Sequence, residues 1–410
     1  MKKLIFLLPL LTLLFAVSCS KDDDGPKKHK VVVTTVLPEE VKWDDITSLT
    51  VTATNKATAQ QSVVSVTKSG VAEFNLIPGI YDFVANGSTE KFHINGLVGG
   101  VEVYAEKEVE IKLIAGVSST LVLKEVYFSG VPSSYFVDAF YEIYNNTDEV
   151  QYLDGVILAT IERGWAINTF NPQPSQWMEN GLYKGKRYPL TSHVQCFPGT
   201  GKDYPIQPRT SVVVAANPID HSSRDLTAED EKSPVNLTGA QWQLYTDNAF
   251  PADSKIAGVA SMTFGWKTWG REMMPAIDGQ AIILARMSAS ETDFLNYVAE
   301  PGSMEKHPST SSTFLMIPVS SIIDAIDIVP FTASERFKII EAKDDAGMAW
   351  VSGKDGNSNC AYSGKSLRRK VVGFTADQKP IYKDTNNSTN DFVLGGGVPT
   401  PGVNPTTIDN

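Results

Sequence analysis

Residues 121–158, LVLKEVYFSGVPSSYFVDAFYEIYNNTDEVQYLDGVIL, decide the fold. The apolar run Leu121, Val122 and Leu123 leads to Glu125, and an aromatic-rich run ends on Glu142, Ile143, Tyr144 and Asn145. The polar turn Asn146, Thr147, Asp148 and Glu149 separates it from a third apolar segment carrying Leu153, Val156, Ile157 and Leu158. Strand, turn and strand with this alternation predict a β-meander. Further along, TSVVVAA at 210–216 and GQAIILA at 279–285 read as buried strands. The run FLMIPVSSIIDAIDIVP at 314–330 satisfies both strand and helix patterns.

The far end of the chain carries AYSGKSLRRK at 361–370 and DTNNSTNDF at 384–392. With the opening stretch, these segments resemble the first and last strands of the lamin-tail domain, an immunoglobulin-like sandwich. The resemblance implies a lamin-tail-like Ig-type β-sandwich over residues 117–398, with a long loop-rich insertion at about 160–275. The whole stretch is similar to DUF4876, a family of Bacteroidota lipoproteins of unknown function. Read physically, the closing segment places Leu367 in the core and an arginine along the sheet edge, donating to loop carbonyls. Asp384, Asn386, Asn387, Asn390 and Asp391 are turn formers whose side chains bond nearby backbone amides. Residues 399–410, rich in Gly and Pro, read as a flexible tail.

Working back to the start, Lys2 and Lys3 precede LIFLLPLLTLLF, an apolar run too short to span a bilayer. Ala16, Val17 and Ser18 then stand before Cys19, which resembles a bacterial lipoprotein signal over residues 1–18 with Cys19 as the lipidated N-terminus. The acidic run Asp22, Asp23 and Asp24, in a tether over 19–29, resembles the surface-export signal of Bacteroidota lipoproteins. Outer-membrane lipid is thus the expected anchor, with the chain facing the cell exterior. Residues 30–115 break into short Val- and Thr-rich alternating runs, a small β-sandwich. Within it, residues 70–87 resemble transthyretin-like and carboxypeptidase regulatory domains; Pro78-Gly79 is read as a hairpin turn, with Phe74, Leu76, Ile80, Tyr81 and Phe83 on strand faces. The expected class is all-β.

The chain has 410 residues and a net charge of −11, a balance that argues against nucleic acid as a partner. Besides Cys19 there are only Cys196 and Cys360, so one disulfide is available and the sequence leaves it open. Five scattered histidines, His29, His93, His193, His221 and His307, show no metal-binding spacing and read as surface or loop residues. The run Gly199-Thr200-Gly201-Lys202 lacks the spacer of a phosphate loop and reads as a turn. Asp344-Asp345 and Asp355-Gly356-Asn357 miss the calcium-loop repeat and read as solvated loops. No cofactor, metal or catalytic residue is expected.

The insertion is rich in aromatic residues. Its Trp165, Trp177, Trp266 and Trp269 either pack as core or form a platform for a glycan, a small molecule or a partner protein. Trp266 and Trp269, with Lys267 and Arg271 as donors, lie in GWKTWGR, where only a loop or a helical turn lets both rings face one partner, and the glycines favour the loop. The leading expectation is a non-enzymatic surface lipoprotein that binds a ligand or partner, accessory to an outer-membrane transporter in an uptake system. A structural or adhesive protein, and a hydrolase with a dispersed site in the insertion, remain as alternatives.

Overall fold

The computed structural model describes residues 26–131, 137–162, 186–190, 193–223, 232–244, 255–267, 279–306, 311–329, 338–353, 360 and 362–409. These residues are nearly all β, as expected.

The first part is a two-sheet unit. Val71–Leu76, His29–Val36 and Lys107–Lys112 form one sheet, in that order. Gln61–Ser65, Ser48–Asn55, Gly79–Ser88, His93–Val103 and Ile114–Gly116 form the other. Each strand is wet on one face, so alternate residues turn inward: Val31 and Val33 from one sheet meet Leu49, Val51 and Ala53 from the other. The rings of Phe74 and Phe83 meet edge to face at 5.7 Å across the gap. The Pro78-Gly79 turn is therefore not a hairpin. It carries the chain from one sheet to the other, so Phe74 and Phe83 oppose each other through the core instead of along a ladder. Ile80 is left exposed.

The second part has three layers. A six-stranded sheet runs Ala260–Ser261, Trp242–Gln243, Ser211–Ala215, Phe140–Asn145, Leu121–Tyr127 and Ser366–Arg368. A five-stranded sheet runs Thr263–Lys267, His193–Cys196, Ile157–Glu162, Gln280–Ala285 and Ile322–Asp327. Leu123, Tyr141, Ile143, Leu158, Val214, Ile282 and Leu367 fill the space between them. The third layer comprises Arg187–Leu190, Thr313–Pro318, Met304–Lys306 and the helix Glu291–Ala299. It covers the far face of the five-stranded sheet through Ile157, Ala159, Val194, Ile283, Phe294, Leu315 and Ile317. A sheet covered on both faces buries both sides of its strands, which is why Gln280–Ala285 is buried throughout and residues 281–285 are all apolar.

The ambiguous run at 314–330 resolves as two strands in different layers, Thr313–Pro318 and Ile322–Asp327, joined by a single 3-10 turn. The helix Glu291–Ala299 was absent from the sequence reading. Ser290 caps it by accepting from Asp293 N, and its acidic first turn suits the positive end of the helix. Its Phe294 lies over Gly265, where an added Cβ would sit 2.3 Å from the ring.

The tail is not free. Gly397 exchanges two backbone hydrogen bonds with Ser366, at 2.9 and 3.0 Å. Near the end, Asp409 accepts from both terminal guanidinium nitrogens of Arg368 (2.6 and 2.8 Å) and from the amide of Val371. Glycine and proline gave no alternation to read, but the backbone they carry is bonded to the six-stranded sheet.

Candidate functional site

The most unusual chemistry in the fold is the charge buried beneath this tail. Where strands Leu121–Tyr127 and Phe140–Asn145 pair, the register steps from Glu142–Glu125 to Ile143–Leu123, leaving Lys124 as the extra residue of a β-bulge. Leu123 and Val126 both point into the inter-sheet core. Lys124 and Glu125 therefore share the opposite face, under the tail. The Lys124 ammonium is completely buried and donates to Glu142 Oε1 (2.7 Å), Val403 O (2.9 Å) and Asn404 Oδ1 (3.2 Å). Glu142 also accepts from Ser211 Oγ and from the Gly402 amide. Its neighbour Glu125 accepts from Thr400 N, Thr400 Oγ1 and Ser366 Oγ. Burial, together with the Glu142 charge, pushes the Glu125 carboxyl above its ordinary range, although its hydrogen bonds pull the other way.

A second knot surrounds Arg369, which is also fully buried. The guanidinium donates to Asp324 Oδ2 (2.6 Å), Asp384 Oδ1 (3.1 Å), Leu123 O (2.9 Å) and Lys383 O (3.1 Å), with Asp391 at 3.7 Å. Phe392 stacks on it, its ring centre 4.7 Å from Cζ. The arginine does reach loop carbonyls, but from the interior and not along a sheet edge. One cation cannot balance three buried carboxylates. Desolvation pushes Asp324 up to about 6 and Asp391 up to about 7, with Arg369 opposing in both cases. Burial alone would lower the Arg369 pKa; the carboxylates outweigh it and hold the guanidinium above its usual range.

In a third knot, Lys338 lies 3.0 Å from Asp327 and 3.7 Å from Asp345. Asp345 accepts from the amides of Asp327, Gly347 and Ser388. It is fully buried, contrary to the solvated loop expected for Asp344-Asp345. Two turn formers of the closing segment do as expected: Asp391 accepts from Thr385 N and Asn387 N, and Asn387 accepts from Asn390 N. Asp384 instead accepts from Ser119 N and Arg369, and Asn386 donates to Lys343 O.

The residues singled out from the sequence are placed as follows. Trp266 sits in strand Thr263–Lys267, opposite Val194, and packs half-buried against the second core. The expected loop is a strand here, because residues 263–267 continue the five-stranded sheet. Lys267 ends the same strand. Cys19, Trp165, Trp177, Trp269, Arg271, His307 and Asp355-Gly356-Asn357 lie outside the described residues. Cys196 and Cys360 are free thiols buried in different cores, so they do not form the disulfide left open above. Burial pushes the Cys196 thiol up to about 12. His221 is buried, with Nε2 2.7 Å from Asn217 O, and is not a surface residue. The Gly199–Lys202 run is a turn, held by Asp154, which accepts from the amides of Gly201, Asp203 and Tyr204. Among the described residues, no three His, Cys, Asp or Glu side chains converge to hold a metal ion.

Sequence reasoning missed the Lys124 site. Its signal was present: two charged residues side by side in LVLKEVY interrupt an apolar strand.

Residues 207–396 match the model of a family described as protein of unknown function, DUF4876. The resemblance to that family read from the sequence is borne out. The chain is similar in structure to a DUF4876 family protein from Bacteroides thetaiotaomicron, with 23% identity and a TM-score of 0.57 over 93% of this chain and 98% of that one. Two weaker likenesses are to a DUF3823 family protein from Parabacteroides merdae (11% identity, TM-score 0.17, 33% of this chain and 67% of that one) and a putative adhesin from Bacteroides ovatus (10% identity, TM-score 0.19, 77% and 90%). No curated protein matches the chain.

Proposed function

We propose that the chain is a non-enzymatic lipoprotein of the outer membrane, anchored through Cys19, that holds a rigid β-scaffold outside the cell and binds a ligand or partner with its aromatic insertion. The observation that carries this reading is the disposition of charge. The buried ions of the second part bond to one another and to the terminal segment, which supports the reading of a stiff scaffold. In this reading Ser20 and Asp22, Asp23 and Asp24 form the export tether, and Trp165, Trp177 and Trp269 with Arg271 supply the contact surface of an uptake accessory.

Two measurements test it. Cys19→Ser should release the protein from membranes, and metabolic labelling with a fatty acid should mark the wild type alone. On a glycan array the wild type should bind, and alanine at Trp165, Trp177 and Trp269 together should abolish binding at an unchanged Tm. Fatty-acid label on Cys19→Ser, or glycan binding that survives the triple replacement, would overturn the reading. A structural or adhesive role is the second reading. It is favoured by the bonding of the last segment to the first strand of the second part, which suits a chain pulled from its lipid end.

A further inference from the structure

We propose that Lys124 and Asn404 become joined by an intramolecular amide bond, with Glu142 carrying the protons. Three observations point to it. First, the Lys124 nitrogen lies 3.2 Å from Asn404 Oδ1, one bond from the amide carbon, and the bulge at Lys124 holds it there. Second, Glu142, itself completely buried, lies 2.7 Å from the same nitrogen. Their contact gives the ammonium proton a short path to a carboxylate, which leaves the amine free to attack. Third, Asn404 is followed by Pro405, which has no backbone N–H. The usual loss of the asparagine amide to the next backbone nitrogen is therefore closed, and the side chain stays intact for the lysine.

The step balances without any added reagent. Lys124 passes a proton to Glu142, and its free amine attacks Cγ of Asn404. The Nζ–Cγ bond forms and the Cγ–Nδ2 bond breaks. Glu142 relays protons from the attacking nitrogen to the departing one, which leaves as ammonia and takes up the remaining proton as ammonium; Glu142 ends as it began, a carboxylate. Nothing is oxidised or reduced. Asn404 is exposed on its outer side, so the ammonia leaves to solvent. The bond would tie the first strand of the second part to its terminal segment, 280 residues further along the chain. A link across so long a loop restrains the unfolded chain strongly.

Peptide mapping of the purified full chain tests this. The wild type should give a tryptic peptide in which the Lys124 and Asn404 segments are joined, lighter than their sum by one ammonia and uncleaved after Lys124. Asn404→Ala should give the two segments apart, and Glu142→Gln, checked for folding by circular dichroism, should leave them unjoined. Separate Lys124 and Asn404 peptides from folded wild-type protein would overturn the cross-link. A joined peptide in Glu142→Gln would overturn the role given to Glu142.

Discussion

The two parts of the molecule treat charge in opposite ways. In the first, Lys30 with Glu73 and Lys68 with Asp44 lie in solvent, Lys56 reaches Asp82 at 3.5 Å, and Asp82 is the only buried charge among the described residues of this part. In the second, Lys124, Arg369, Asp324, Asp345 and Glu142 are all turned inward. A surface pair contributes little, because water and salt screen it. A buried pair adds little net stability either, but losing one partner strands the other in a medium that cannot solvate it. The first part thus holds mainly by apolar burial, whereas the second holds only when distant segments deliver their charges to the same place.

Arg369→Ala breaks this contrast most severely. It strands three carboxylates, and the second part should lose about 3–5 kcal/mol. Calorimetry should show its transition falling by many degrees, while Lys30→Ala leaves the transition of the first part where it was. A smaller effect is expected at Gly265→Ala. The new Cβ meets the Phe294 ring at 2.3 Å, and overpacking of this kind costs about 1–3 kcal/mol. Urea unfolding should show the lower midpoint, and a second change, Phe294→Leu, should recover part of it.

The mildest effect is that of pH. Asp324 and Asp138 are pushed up to about 6 and Asp391 to about 7, by desolvation in each case, and Glu125 and Asp345 are raised for the same reason. In the unfolded chain these groups titrate near 4, roughly the value for a free carboxyl. Between that value and their folded values the native state holds more protons, so their stabilisation is complete below about 4 and is lost as pH rises through 6 to 7. Thermal melts should therefore show a higher Tm at pH 5 than at pH 8; the reverse order would contradict the assignment.

How much of this could be read from the sequence follows from the same contrast. Val31 and Val33 alternate with exposed residues, and that period alone fixes a strand with one wet face. GQAIILA was legible because burial on both faces writes itself as an unbroken apolar run. Leu367 was legible as core from its apolar character, and Asn387 and Asp391 as turn formers because they accept from neighbouring amides. The partners of Arg369 and Lys124 are not local. Asp324 lies 45 residues from Arg369, and nothing in the spelling of either segment joins them. The tail was misread for a related reason: its order comes from Glu125, Glu142 and Ser366, far back in the chain, and not from any pattern of its own. The helix Glu291–Ala299 did carry a signal, the acidic SETD opening, but it is short and only Phe294 is fully buried.

The central claim is that the terminal segment is bonded to the six-stranded sheet of the second part and folds with it. Native-state hydrogen exchange tests it most directly. The amides of Gly397, Thr400 and Gly402, which bond to Ser366, Glu125 and Glu142, should be protected to the same degree as those of strand Leu121–Tyr127 and should exchange together with them. Exchange of these three amides at the rate of free peptide, while the strand remains protected, would contradict it.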